Sequence, residues 1–437
     1  MVGKYKYDFN IPQAVKDLLN KLHTKYEAYI VGGCVRDLML GKTPKDYDIT
    51  TNATPEQIKE VFSDYELINN NGEKHGTVTV RYENENYEIT TYRLDGEYTD
   101  HRHPDGVIFT SNLQEDLSRR DFTINSLVYD GKYILDYFGG INDLEHKLIK
   151  AVGEPRKRFE EDALRILRMI RFASVLDFDI DMNTLLAAEE LKSELVYIAK
   201  ERKTVECNKL VCGKGFARIL NNILVYNILK QVLPLNDKHL YDMNLIFRIF
   251  NSESLVDRDY ILSYCLLFTG IESRHLLFNY LTLSNKDKDY INDICRTFNE
   301  NSVVSVGKYQ YLKLNNQDVN KYMITKALHE LKHNDNKEYC TYVMVSSIMM
   351  SWVIGDIDGR TAVKLRDDLE YIINNGCYSL KQLAINGNDL IELGLEPGLV
   401  IKDILESYLN DVIEGRLENK KEILLDKVKK EIIDKLI

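Results

Sequence analysis

Residues 29–51 read YIVGGCVRDLMLGKTPKDYDITT, and the order of residue types here decides how the N-terminal part of the chain folds. Glu27–Val31 is β-like, Gly32-Gly33 interrupts it, Val35–Leu40 suits a short helix ended by Gly41, and Asp46–Thr50 is β-like again. Side chains two apart in a strand share a face, so Asp46 and Asp48 project together while Tyr47 and Ile49 face the opposite layer. Two carboxylates so placed repel unless a cation sits between them. Mg²⁺ suits that place, because it takes oxygen ligands and shares its coordination with substrate phosphates. Taken alone, Asp-x-Asp also fits a solvated strand end.

The glycine pair changes the balance. It follows one strand and opens a helix, where bare N–H groups and the positive helix end attract an anion. Gly32 and Gly33 let a phosphate approach the main chain, and Arg36, one turn in, adds a charge-assisted contact. Phosphate turn and acidic strand together describe a site where a metal-bound triphosphate meets a nucleophilic hydroxyl. Glu88, mid-strand in Tyr87–Arg93, lines the same face if that strand neighbours the first, as a layout of two metals ~3.5–4 Å apart would need.

Around this stretch, the strands Thr77–Tyr82 and Tyr87–Arg93 are joined by the turn formers Glu83–Asn86, and Thr54-Pro55-Glu56-Gln57 carries an N-cap, a first-turn proline and a capping-box glutamine. After Gly139-Gly140, helical spacing of apolar residues dominates and β-branched alternation nearly vanishes. The expected fold is therefore an α/β head with a mixed sheet, followed by an all-α neck, body and tail. The expected divisions are 1–140, 141–215, 216–335 and 336–437, with candidate breaks at Cys212–Gly215, Asn299–Ser302 and Asn374–Gly376.

Composition sets outer bounds. A chain of 437 residues is too long for one ordinary core, and its 44% hydrophobic content is normal for a globular protein. A net charge of -11 argues against a protein that coats nucleic acid generally, though not against a basic cleft on an acidic body. The first residues lack a signal peptide's apolar segment and no apolar run is long enough to span a bilayer, so a cytoplasmic protein without membrane attachment is expected. The seven cysteines are scattered, without Cys-x-x-Cys pairs, and read as reduced thiols.

Two further stretches carry chemistry. The first, Arg158–Phe172, has the composition of a helix, and Asp162, Arg165, Arg168 and Arg171 recur every third residue along it. A solvated helix face with an i,i+3 ion pair worth ~0.2–0.5 kcal/mol accounts for such spacing. Hydrogen-bond arithmetic offers another account. Cytosine and adenine both present an amino donor beside a ring-nitrogen acceptor, whereas guanine and uracil present the reverse; an aspartate that only accepts and an arginine that only donates therefore select C and A. The second stretch, Leu117–Leu127, contains Arg119-Arg120-Asp121, which reads either as a capped helix start or as groups that fix the ribose and triphosphate of a nucleotide.

With these residues in view, the chain resembles the class II tRNA nucleotidyltransferases, the CCA-adding enzymes of bacteria, in the superfamily they share with bacterial poly(A) polymerase. The stretches that carry the resemblance are GGCVRDLMLGKTPKDYDITT, HGTVTV with YEITTYR, RRDFTINSL and RFEEDALRILRMIRFAS, covering about the first 175 residues, with Leu383–Leu390 and Gly394–Gly398 as a tail match. It implies that Asp46 and Asp48 are metal-binding catalytic carboxylates with Glu88 as an accompanying acid. It also implies that Gly33 and Arg36 contact the triphosphate, that Arg120 binds nucleotide, that Asp162 and Arg165 template the base, and that Arg168 and Arg171 support them. The implied cofactor is Mg²⁺, and the implied partners are CTP, ATP and the 3′ end and acceptor arm of tRNA; no protein partner is evident. The long segment Asp95–Asn112, with Tyr98–Asp105, resembles the loop of enzymes that add the terminal A, and Asn69–Thr77 lacks the arginine-rich stretch of poly(A) polymerases. Leu266–Ile271 has no His-Asp dyad, so no appended phosphohydrolase activity is expected. Lys420, Lys421, Lys427, Lys429 and Lys430 are candidate RNA contacts or ordinary solvated lysines. A poly(A) polymerase, an adder of the terminal A alone, and a catalytically silent RNA-binding protein remain the alternatives.

Overall fold

A computed structural model describes residues 2–68, 71–96, 106–235, 260–268, 271–299, 319–353 and 359–436. Tyr98–Asp105, residues 69–70 of the Asn69–Thr77 stretch, residues 300–302 of one expected break and residues 269–270 of Leu266–Ile271 lie outside them.

Strands β1 (Gly3–Lys6), β2 (Ala28–Val31), β3 (Ile49–Thr51), β4 (Glu66–Ile68), β5 (Thr77–Tyr82) and β6 (Glu85–Thr91) are followed by the small pair β7 (Arg93–Asp95) and β8 (Val107–Phe109), then by β9 (Leu127–Tyr129) and β10 (Tyr133–Asp136). All but β7 and β8 form a mixed sheet in the order β1-β10-β9-β2-β3-β6-β5-β4. Its neighbours are antiparallel except β3 and β6, which run parallel with Ile49 opposite Ile89. The turn between β5 and β6 is only two residues, Glu83 and Asn84, both at positive φ (51° and 65°), as a tight hairpin requires.

Alternation along the strands sorts side chains onto two faces. Ala28, Ile30, Ile49, Ile89, Leu127 and Tyr129 join one core with Val15, Leu18 and Leu22 of α1 (Gln13–His23) and with Ile58 of a further helix, while Val31 and Val128 join a smaller core on the other face. Between β2 and β3 runs α2 (Gly33–Met39), and Ile58 belongs to α3 (Pro55–Val61), which starts with the expected capping box of Thr54 and Gln57. The smaller core is closed by Leu113 and Leu117 of α4 (Leu113–Ser118).

Helices α5 (Gly140–Glu145), α6 (Pro155–Glu161), α7 (Leu164–Leu176), α8 (Met182–Glu190) and α9 (Lys200–Val211) continue the same compact unit, which spans residues 1–240 with 280–282. Among the described residues, the second unit, 241–279 with 283–437, is helical, and Leu390, Tyr408, Leu409, Leu424 and Val428 form a core near its C-terminus.

Three local expectations need correction. The strand expected over Asp46–Thr50 begins at Ile49, and Asp46 to Asp48 form its lead-in, because the partner β2 ends at Val31 where the Gly32 turn begins. The helix expected over Arg158–Phe172 is broken at Asp162, whose backbone is extended (φ -144°, ψ 103°). The reading of Leu117–Leu127 as a helix start also fails: α4 ends at Ser118, and a single 3₁₀ turn over Thr123–Asn125 leads into β9.

The segment Cys212–Gly215 follows α9 inside the first compact unit, and its glycine has a packing reason. A Cβ on Gly213 would lie 2.0 Å from Ser174 Oγ and 2.5 Å from the Ser174 carbonyl carbon, so only glycine lets this turn meet α7. Gly213→Ala is expected to destabilise this unit by about 1–3 kcal/mol, measured as a fall in the urea unfolding midpoint; an unchanged midpoint would show that the contact can relax.

Candidate active site

The sheet brings three separate segments to one end. The Val31 amide donates to the Asp48 carbonyl (3.0 Å), and the Gly32 amide to that of Leu127 (3.1 Å). Gly32, the lead-in to β3 and the loop before β9 therefore lie side by side. Tyr47 packs against the larger core, and Thr50 Oγ1 donates to Asp116 of α4 (3.4 Å), so Asp46 and Asp48 share the opposite face. Because β6 runs parallel to β3 with Ile89 opposite Ile49, Glu88 falls beside Asp48.

The electrostatics record this neighbourhood. Surrounding protein raises the Asp48 pKa, Arg120 draws it down and Asp46 pushes it up. Glu88 is likewise raised, first by burial and then by the charges of Asp48 and Asp46. Each carboxylate still reaches solvent. Among the described residues no three His, Cys, Asp or Glu side chains converge as a metal cage. The fit for a divalent ion is thus Asp46 and Asp48, with water and phosphate oxygens completing the shell, the mode Mg²⁺ prefers.

Gly32 has φ 86°, a conformation that side chains rarely adopt, and a Cβ there would lie 2.9 Å from Arg120 Nη1. The glycine therefore clears space for an arginine as well as for the turn. Arg120 lies 3.9 Å from Asp116, and its buried Nε has no hydrogen-bond partner, leaving a cation with donor capacity to spare beside the carboxylates. Arg36 is more committed than its sequence position implied. It is 9% exposed, with Nη1 donating to Asn125 Oδ1 (2.7 Å) and Nε to Asp37 (2.9 Å).

The neck side is a chain of ion pairs. Arg168 Nη2 lies 2.6 Å from Asp121 Oδ2, whose other oxygen accepts from Asn125 Nδ2 (3.0 Å) and the Phe122 amide (2.8 Å). Arg171 pairs with the buried Glu206 of α9 (2.5 Å). Arg165 donates to Glu161 Oε2 (2.7 Å) and to the carbonyls of Arg158 (3.1 Å) and Arg119 (2.8 Å). Asp162 caps α7 through the Leu164 amide (3.0 Å) and pairs with Arg202 (3.0 Å). Because the helix breaks at Asp162, these two residues are not successive turns of one face.

Sequence reasoning missed four supports: Asp116, Glu161, Arg202 and Glu206. Glu161 to Arg165 and Asp116 to Arg119 and Arg120 stand at helical pair spacings that were legible. Nothing local marked Arg202 and Glu206, whose partners lie 40 and 35 residues away.

A mixed sheet with an acidic strand entry, a glycine turn and an arginine-rich neck is the construction of a nucleotidyltransferase. The "Poly A polymerase head domain" profile matches residues 28–150, "Probable RNA and SrmB- binding site of polymerase A" matches 177–240, and tRNA nucleotidyltransferase domain 2 matches 359–428. The chain is 35% identical to a CCA-adding enzyme of Ligilactobacillus salivarius over 98% of its own length and 99% of that protein's. It is 31% identical to one of Staphylococcus epidermidis over 95% and 96%. The crystal structure of the Bacillus stearothermophilus CCA-adding enzyme in complex with CTP superposes with a TM-score of 0.77 at 28% identity, covering 97% of this chain and 98% of that one. The chain belongs to the family of CCA-adding enzymes.

Burial raises the pKa of Asp121, but Arg168 and the hydrogen bond from Asn125 outweigh it and bring it down to about 2. Since the folded value lies below the unfolded one of about 3.9, the pair stabilises the fold above about pH 4, and that contribution is lost as the pH falls toward 2. Asp121→Asn is expected to cost about 2 kcal/mol near neutral pH. The difference from the parent protein, followed by urea unfolding across pH, should shrink in acid; a constant difference would refute the assignment.

Proposed function

We propose that this protein adds two cytidylates and then one adenylate to the 3′ end of tRNA, using CTP and ATP and releasing pyrophosphate. The observation that carries the reading is the meeting of Asp46 and Asp48 with Arg120 at the Gly32 turn, in a chain that matches CCA-adding enzymes over nearly its whole length. Asp46 and Asp48 would hold Mg²⁺, which when bound neutralises triphosphate charge and favours loss of the proton from the attacking 3′ hydroxyl. Arg120, whose side chain is partly exposed beside Asp48, brings its guanidinium charge to the triphosphate at the Gly32-Gly33 turn, and Glu88 adds negative charge that strengthens the pull on a divalent ion. Arg36, whose guanidinium lies 3.5 Å from where a Cβ on Gly33 would stand, flanks that turn.

Base choice is assigned to Asp162 and Arg165. Each Asp162 oxygen has one protein donor and keeps a second lone pair; Arg165 uses Nη1 twice and Nη2 once, which leaves Nε and one Nη2 hydrogen. An acceptor and a donor thus remain for the amino group and ring nitrogen of C or A. A base with the reverse pattern would leave buried groups unpaired. Arg168 and Arg171 hold the surrounding charge. The helical units would grip the acceptor arm through shape and phosphate contacts. Of the C-terminal lysines, Lys420, Lys421 and Lys427 are engaged with Glu418, Asp389 and Asp411, while Lys429 and Lys430 are exposed. Among the described residues no helix is long and apolar enough to cross a membrane, and the cytoplasm is the proposed location.

The test is extension of a tRNA lacking its 3′ end with CTP alone, ATP alone, both, and all four nucleotides, with the products sequenced. Addition of CCA and then arrest is expected; a long A tail would instead identify a poly(A) polymerase, and dependence on a CC-ended substrate an adder of A alone. Asp46→Ala and Asp48→Ala should each lower incorporation by at least ~10³-fold, several kcal/mol of barrier, while tRNA binding persists. Asp162→Ala should damage the preference for C and A over G and U more than total tRNA binding, and an unaltered preference would defeat the templating role.

A further inference from the structure

Phe172 of α7 is buried (6% exposed) and has three guanidinium groups around it. The guanidinium carbon of Arg171 lies 3.8 Å from the ring centroid, that of Arg36 5.1 Å and that of Arg168 5.4 Å. Arg168 and Phe172 are neighbours on the helix at i,i+4, whereas Arg36 arrives from α2, more than a hundred residues earlier. The edge of Phe122, from the loop before β9, meets the same ring at 5.8 Å between centroids and 79° between planes.

Three like charges around one side chain repel unless something lies between and outside them. Outside stand Asp37, Asp121 and Glu206, paired with Arg36, Arg168 and Arg171 respectively. Inside, the negative face of the Phe172 ring is the common partner. Arg36 and Arg168 are also joined by a second route, since Arg36 donates to Asn125, Asn125 donates to Asp121, and Asp121 accepts from Arg168. The ring and this hydrogen-bonded route close a loop that ties the turn-side arginine of the head to the arginines of the neck.

We propose that Phe172 is a positioning residue for nucleotide binding: its ring fixes Arg36 against Arg168 and Arg171 and so holds the triphosphate and base ends of the site in register. This rests on the proposed nucleotidyl transfer, yet it is tested by nucleotide binding, a readout that does not require catalysis. An aliphatic side chain keeps the burial but loses the quadrupole, whereas tyrosine keeps both.

Binding of CTP and of ATP is measured by calorimetry with the full-length chain, alongside KM, kcat and the thermal unfolding temperature. Phe172→Leu is expected to weaken binding of both nucleotides by about 5–30-fold, the range of a desolvated cation–π contact, and to raise both KM values by more than it lowers kcat. Phe172→Tyr should restore affinity to within about threefold of the parent protein. In an Arg36→Ala background the leucine variant should add less than about twofold, since the ring would have lost the group it positions. Parental affinity in Phe172→Leu, failure of tyrosine to restore it, or full multiplicative loss in the double variant would each overturn the role. Parental protein that binds CTP but adds nothing to tRNA would fault the assigned function instead, leaving the ring's role standing on its binding data.

Discussion

One backbone hydrogen bond sets the geometry on which the site depends. The Val31 amide reaches the Asp48 carbonyl, extending the pairing of β2 and β3 one residue beyond the regular strand. That bond anchors the acidic lead-in beside β2, with Tyr47 packed against the core and Asp46 and Asp48 exposed. It also ends β2 where Gly32 must turn at positive φ, beside Arg120. A slip of one residue would bury the carboxylates and expose Tyr47, so the core that selects the register also selects the chemistry.

Charge is arranged differently on the two sides of the site. Around Asp46, Asp48 and Glu88 negative charge is left in excess, with Arg120 as the opposing cation, and the pKa values of Asp48 and Glu88 rise, first through burial and then through the neighbouring carboxylate charge. In the neck, every arginine of the site has an acidic partner, and Asp121 is held ionised far below the usual range. The first arrangement suits the proposed role of drawing in a cation and the phosphates it carries. The second fixes side-chain directions, because a paired, buried guanidinium gives up its rotamer freedom during folding rather than when substrate arrives.

The break at Asp162 shows how a local rule is overridden. Composition favours one helix from Arg158 to Phe172, but the Asp162 side chain competes for the backbone by capping the Leu164 amide, and Arg202 secures it from α9. The result separates Asp162 from Arg165 in backbone direction while leaving unused hydrogen-bonding capacity on both.

The sequence by itself determined the strands at β2, β5 and β6, the capped start of α3, the glycine turn before α2 and the change to helices after Gly140. Those features follow from periodicity, capping and conformational preference over a few residues, which neighbours in the chain impose. Tertiary structure alone decided that Arg36 spends its donors on Asn125 and Asp37 and its face on Phe172, that Arg202 and Glu206 join the site, and that Arg120 keeps a free donor. Such pairings depend on which distant segments the sheet order brings together, and no local pattern encodes the separation of 89 residues between Arg36 and Asn125.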